Sequence, residues 1–234
     1  MRVLNWIARN WVGIGIAVAI AVVGFVVLAA FIGIARAKDP VTIAAPVAFD
    51  RDAVTVKVLL ADGHGSGVLI GDGTLVLTAG HVTKAATDGK VRIELHDGTT
   101  VDGLVIWAGV QDDIAIIKIA GTHPAASLDC GVQQAGLAVE VVGFPHVGGT
   151  LPWAHTYGRV VQVYLGGLEK WPHPLLILDA ALYFGSSGGP VFDLDGKLIG
   201  IVNAMTGADV GWGTVAPFGF NIATPASYIC ELLP

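Results

Sequence analysis

"LDAALYFGSSGGPVFDLDGKLIGIVNA", residues 178–204, is the stretch on which the reading of this chain turns. At its centre Gly185, Ser186, Ser187, Gly188 and Gly189 form a run of small residues closed by Pro190. Beyond them, two apolar segments flank Asp195-Gly196, a dipeptide suited to a tight hairpin turn. A glycine-rich loop between strands accounts for the glycines, but not for a serine set inside G-x-S-G-G-P. A hydroxyl is a poor nucleophile at neutral pH. It needs a base to take its proton and N–H donors for the oxyanion formed on attack. Glycines on either side let the backbone turn sharply and aim such N–H groups.

Outward from this loop the chain is a series of short β runs. "AVTVKVLL" (53–60), "GVLIGDGTLVLTA" (67–79), "VRIEL" (91–95), "LVIWAG" (104–109) and "DIAIIKIA" (113–120) form one set. "LAVEVVGFP" (137–145), "GRVVQVYL" (158–165), "PLLILDAAL" (174–182), "PVFDLDGKLIGIVNAM" (190–205) and "GFNIATP" (219–225) form a second. Asp72-Gly73 and Asp97-Gly98 add hairpin signals. No long amphipathic helix is predicted between 53 and 225, and only "ASYICELL" (226–233) reads as a terminal helix. The fold class is therefore all-β: two similar antiparallel units, each closed to protect its edges, joined near residues 122–136.

The N-terminus differs. Residues 11–35, "WVGIGIAVAIAVVGFVVLAAFIGIA", carry no charge. A helix of that length spans the ~30 Å hydrocarbon core, and it exceeds the usual secretory h-region of about 7–15 residues. We read residues 1–36 as a tail and transmembrane anchor rather than a signal peptide cleaved at "ARA" (35–37), and residues 37–52, with Pro40 and Pro46, as an extended linker. Arg2 and Arg9 face Arg36 and Lys38 across the span, so the positive-inside count is nearly balanced. The expected topology is single-pass in the cytoplasmic membrane, with the bulk on the periplasmic or extracellular side.

Composition sets limits. Apolar residues make up 53% and charged residues 14%, too apolar for a disordered chain. A formal charge of −6 gives no footprint for nucleic acid, and no CxxC or HExxH spacing suggests a metal. No cofactor is expected.

Two further motifs answer what the serine needs. Of seven histidines, His81 alone closes a strand, in "LVLTAGHV", where Ala79-Gly80 turns the chain and leaves the imidazole on a rim. Asp113 abuts the apolar run after "QDD". A carboxylate partly buried there requires hydrogen bonds, for which a histidine Nδ1–H is a suitable donor. Each motif alone has an ordinary explanation, a surface histidine and a solvated Asp-Asp turn.

Together, in the order His81, Asp113, Ser187, they resemble the trypsin-like (chymotrypsin-fold) serine proteases, and within that class the bacterial HtrA/Deg type. The resemblance is carried by "GSGVLIGDGTLVLTAGHV" (65–82), "DDIAIIKI" (112–119), "LAVEVVGFP" (137–145), the opening stretch and "GFNIATP" (219–225). It implies two six-stranded antiparallel barrels, one over about 53–126 and one over about 132–225, within a protease domain 53–234. It implies His81 as general base, Asp113 as its orienting partner and Ser187 as nucleophile, with Asp112 the neighbouring alternative acid. The N–H groups of Gly185 and Ser187 match the oxyanion hole. Ala181 matches the base of the specificity pocket, with Asn203, Ala204 and Met205 as a wall and Phe220 beside it. An uncharged base argues for small or medium apolar residues before the scissile bond.

The chain also departs from the pattern. Ser186 stands where trypsin-like digestive enzymes use an aspartate to bind a newly cut N-terminus, so activation by that ion pair is not expected. Phe184 replaces the proline common in HtrA relatives, and no PDZ domain is expected after the terminal helix. Cys130 and Cys230 fall in regions that some trypsin-like proteases staple together; a disulfide and two separate buried thiols both fit. The function implied is a membrane-anchored serine endopeptidase acting on protein or peptide substrates in extracytoplasmic quality control or signalling, able to form a homo-oligomer. A non-catalytic binding module and an esterase with the same triad are the alternatives.

Overall fold

The computed structural model describes residues 49–61, 63–146, 153–166, 171–209 and 215–233. The membrane anchor expected over 11–35, and the linker as far as residue 48, lie outside the described residues. Among the described residues no helix is long and apolar enough to cross a membrane.

Among the described residues, twelve strands form two closed antiparallel barrels. The first contains β1 (Thr55–Leu60), β2 (Gly63–Ile70), β3 (Leu75–Ala79), β4 (Lys90–Glu94), β5 (Thr100–Gly109) and β6 (Ile114–Ile119), in the order β1-β2-β3-β6-β5-β4. The second contains β7 (Ala138–Gly143), β8 (Ala154–Tyr164), β9 (Leu175–Leu178), β10 (Pro190–Asp193), β11 (Leu198–Asp209) and β12 (Val215–Pro225), in the order β10-β11-β12-β9-β8-β7. Closure leaves no strand row unpaired, which removes the edges that would otherwise invite pairing with another chain. The terminal helix α2 spans Ala226–Leu232.

One expectation needs correction. The sequence predicts an extended linker to residue 52 and a first strand from residue 53. Instead a single helical turn, α1 (Arg51–Val54), precedes β1. Its cause is Asp50, whose carboxylate accepts the N–H groups of Asp52 at 3.1 Å and Ala53 at 3.2 Å. The turn is anchored on barrel two. Arg51 pairs with Glu140 at 3.1 Å and donates to the carbonyls of Asp193 and Leu194, while His155 bridges Asp52 and Glu140.

The apolar sides of the strands fill the barrels. Val56, Val68, Leu77, Ile93 and Ile117 are fully or almost fully buried in the first, and Val160, Leu178, Val191 and Ile199 in the second. Phe192, Leu198, Ile201 and Ile229 of the second half pack into the core of the first. Each buried large aliphatic or aromatic side chain contributes about 1.5–3 kcal/mol, so this shared seam fixes the facing strand ends against each other. The connector joins the same seam, with Ala126 bridged to Ile70 and Leu128 to Leu198. Cys130 then forms a disulfide with Cys230 of α2, Cα–Cα 5.8 Å. Of the two readings of these cysteines, the pairing is the one realised.

Candidate active site

The site lies between the barrels, where the turns after β3, before β6 and before β10 meet. Gly80–Ala85 after β3 is a 3-10 turn, and it presents His81 with its side chain 38% exposed. Asp113 holds the left-handed conformation at φ 51°, which an aspartate tolerates better than most residues. That turn points its carboxylate back at His81. Gly80 makes the approach possible, because a Cβ there would crowd the backbone of Asp113 and Ile114 at 3.1 Å.

The resulting pair is closely bonded. His81 Nδ1 lies 2.9 Å from Asp113 Oδ2 and 3.1 Å from Oδ1, and the His81 backbone N–H donates to Oδ1 at 2.8 Å. Asn203 donates its amide to the Asp113 carbonyl at 3.0 Å and carboxylate at 3.3 Å, and its own oxygen accepts the Thr224 hydroxyl at 2.7 Å. Burial pushes the Asp113 pKa up, but the His81 ring, the His81 N–H and Asn203 together outweigh it. The carboxyl stays below the usual carboxylate range. An ionised Asp113 holds the proton on Nδ1 and leaves the Nε2 lone pair outward, the tautomer a general base requires.

Asp112 is turned elsewhere. It accepts the Tyr228 hydroxyl of α2 at 2.6 Å, and burial together with that bond pushes the Tyr228 pKa up to about 12. Of the two neighbouring acids, Asp113 is the one that meets His81.

Ser187 stands in the turn before β10, partly buried. Its neighbour Gly188, at φ 81°, could carry no side chain: a Cβ there would meet the Thr78 hydroxyl, the Ser66 carbonyl and, at 2.8 Å, the Ala79 nitrogen. The serine turn is thus seated against the end of β3, two residues before His81. No hydrogen bond joins the Ser187 hydroxyl to the imidazole among the described residues. Such bonds are often loose without substrate and tighten when it binds.

The loop ahead of Ser187 is fixed by its carbonyls. His146 N–H donates to the Phe184 carbonyl at 2.6 Å, and Gly189 N–H donates to that of Ser186 at 2.9 Å. In a trans peptide the following N–H points the opposite way. The N–H groups of Gly185 and Ser187 are those opposite partners, and neither donates to an acceptor among the described residues. They are available to a ligand oxygen.

The residues expected around the specificity pocket separate. Ala181 lines a small cavity of about 80 Å³ with Val141, Pro145, Thr156 and Ser186, beneath the loop. Ala204 and Met205 pair with Ile222 and Asn221 on the β11–β12 hairpin, and Phe220 is 50% exposed beside them. Asn221 ties the two regions by donating to the Ala180 carbonyl at 2.6 Å. Asn203, expected on the wall, is buried with its side chain on Asp113. Its support role had no signal in spacing, since it bridges 90 positions.

Comparison with known proteins agrees with this geometry. The family model for the trypsin-like peptidase domain matches residues 65–201. Putative protease Do-like 14 of Arabidopsis thaliana is 34% identical over an alignment of 186 residues that covers 72% of this chain and 40% of that protein. Serine protease HTRA1A of Danio rerio is 32% identical, covering 78% of this chain and 36% of that protein. The chain therefore spans 40% or less of these two curated relatives. Among solved structures, the inactive form of Rv3671c protease superposes with a TM-score of 0.63 at 23% identity, over 82% of this chain and 93% of that one. An HtrA-type protease, AlgWS227A with tripeptide, gives 0.65 at 24% identity, over 77% of this chain and 58% of that one. These structures show the shared fold.

Proposed function

Because this chain belongs to the trypsin-like peptidases and is homologous to the HtrA/DegP-type serine proteases, we propose that it is a serine endopeptidase whose triad is His81, Asp113 and Ser187. The observation that carries this reading is the two-point contact of the Asp113 carboxylate with His81 Nδ1, beside a glycine-flanked serine. His81 Nε2 takes the Ser187 proton as Oγ attacks the scissile carbonyl carbon. The carbonyl π pair moves onto oxygen, and the Gly185 and Ser187 N–H groups stabilise that oxyanion. One such donor is worth ~2.7–4 kcal/mol of barrier lowering. The imidazolium, stabilised by Asp113, returns its proton to the leaving amine, and the C–N bond breaks to give the acyl-enzyme. Water, deprotonated by His81, then releases the acid product and restores Ser187.

The test is phosphonylation of the full-length chain by an activated fluorophosphonate. Labelling should map to Ser187 and vanish in Ser187→Ala, and absence of labelling on the intact chain sinks the reading. Small or medium apolar residues are expected before the scissile bond, on the ground that Ala181 supplies no counter-charge. A panel of peptides tests it, and preference for lysine or arginine overturns it.

The finer reading is an enzyme held to the cytoplasmic membrane by residues 11–35, with its catalytic domain outside, cleaving proteins in quality control or signalling. Its support is the uncharged 25-residue run. Alkaline carbonate extraction of membranes tests it: release of the full-length chain into the soluble fraction contradicts an anchor.

A further inference from the structure

Ser66 takes no part in the chemistry above, yet three glycine-bearing motifs converge on it. It lies in "GSG" of β2 and is completely buried. Its N–H donates to the Ser187 carbonyl at 2.8 Å. Its hydroxyl donates to the Gly185 carbonyl at 2.7 Å and accepts the Phe144 N–H at 2.9 Å. The space around it is cleared by glycine. A Cβ on Gly143 would lie 3.0 Å from the Ser66 hydroxyl, and one on Gly189 3.2 Å from the Ser66 Cβ.

These bonds bear on the orientation of the two candidate oxyanion donors. Four successive peptide planes run from Phe184 to Gly188. The first is held by His146 N–H and the third by Gly189 N–H. The second and fourth are held by Ser66, through its hydroxyl and its N–H, with the Val202 carbonyl also accepting the Gly188 N–H at 2.7 Å. The planes carrying the Gly185 and Ser187 N–H groups therefore alternate with planes fixed from barrel one. Without the hydroxyl, the Gly185 carbonyl loses its donor and the Phe144 N–H its acceptor. Unpaired buried groups of this kind favour rearrangement.

We propose that Ser66 is a positioning residue for catalysis: its hydroxyl ties barrel one to the loop before Ser187 and holds the oxyanion donors in register. The inference rests on the serine-protease reading above. It predicts a defect in the reaction step rather than in substrate affinity, because the group touches no substrate.

The test compares full-length wild type, Ser66→Ala and Ser66→Cys. Three quantities are read: the rate of Ser187 phosphonylation, kcat and KM on a fluorogenic peptide, and the thermal midpoint. Both variants should lose about 10- to 100-fold in phosphonylation and kcat, with KM within about twofold, short of removing a donor outright at about 100- to 1000-fold. Cysteine keeps the shape of serine but is a weak hydrogen-bond donor, so it separates packing from bonding and stands alone if the alanine variant fails to fold. Wild-type rates in Ser66→Cys, or a loss expressed only in KM, overturn the proposal while leaving the protease reading intact. A wild type that never labels overturns both.

Discussion

The two halves of the site are built by different means. The acid–base half, on barrel one, is held side chain to side chain. Asp113 receives two ring contacts, one backbone N–H and an amide from Asn203. The nucleophile half, on barrel two, is held by its carbonyls, each tied to a neighbouring donor; the Ser186 and Gly188 N–H groups go to Tyr183 and Val202, and only those of Gly185 and Ser187 lack an acceptor among the described residues. The contrast suits the chemistry proposed for each half. A base needs one ring held in one tautomer, which a carboxylate can do. An oxyanion site needs N–H groups that nothing else has claimed, so the loop must be secured through every other atom.

Substitutions can break this contrast at graded depth. Ser187→Ala should have the largest effect, a fall in kcat of about 10⁶-fold with little change in thermal midpoint, as when other serine proteases lose the nucleophile. Asp113→Asn should follow at about 10⁴-fold, because an amide favours the wrong tautomer of His81. Steady-state turnover of an ester substrate measures both, and an Asp113→Asn variant within tenfold of wild type would show that the carboxylate does not orient the ring. On the nucleophile side, Gly188→Ala should destabilise by about 2–4 kcal/mol, combining left-handed strain with the clash at Ala79 and Ser66. Denaturant unfolding reads this. The disulfide comes next, with reduction costing about 2–4 kcal/mol. An unchanged unfolding midpoint in reductant would contradict that.

The smallest effects concern pH. The folded pKa of Asp113 is depressed, so its contribution is fully present above the ordinary carboxyl range and is lost as pH falls through the folded value. Tyr228 behaves oppositely. Its pKa is raised to about 12, so its contribution is present below ~10 and is lost as pH climbs from there toward 12. The pKa of Tyr157, bonded to Glu140, is raised as well, so ultraviolet titration should show late tyrosine ionisation, and Asp112→Asn should bring only the Tyr228 part of it earlier. A late phase that Tyr228→Phe removes but Asp112→Asn leaves unmoved breaks the assignment.

Much of this arrangement was legible in the chain. Alternating apolar runs and Asp-Gly turns indicate antiparallel β-structure because side chains alternate faces and type I′ turns need a left-handed residue. The meeting of His81 and Asp113 was legible because each adjoins an apolar strand in a distinctive local context, and the turn of Ser187 lies against the end of β3 beside them. What escaped was contact that spacing does not encode. Asn203 was read as pocket wall, yet it bridges to Asp113, since only barrel closure brings β11 to the β6 turn. The helical turn at Arg51–Val54 was hidden by the prolines before it, and its cap depends on the single carboxylate of Asp50. The cysteines could not be assigned because 100 residues separate them.

That last bond has a mechanical consequence. Cys130 and Cys230 enclose almost all of barrel two in a covalent ring. Tension applied between the chain's two ends would pass through sulfur rather than through β7 to β12. Barrel one would unravel first, while roughly 340 Å of backbone stayed shielded from the load. A single reductant-sensitive link thus determines whether the second half of this molecule can be drawn out by force at all.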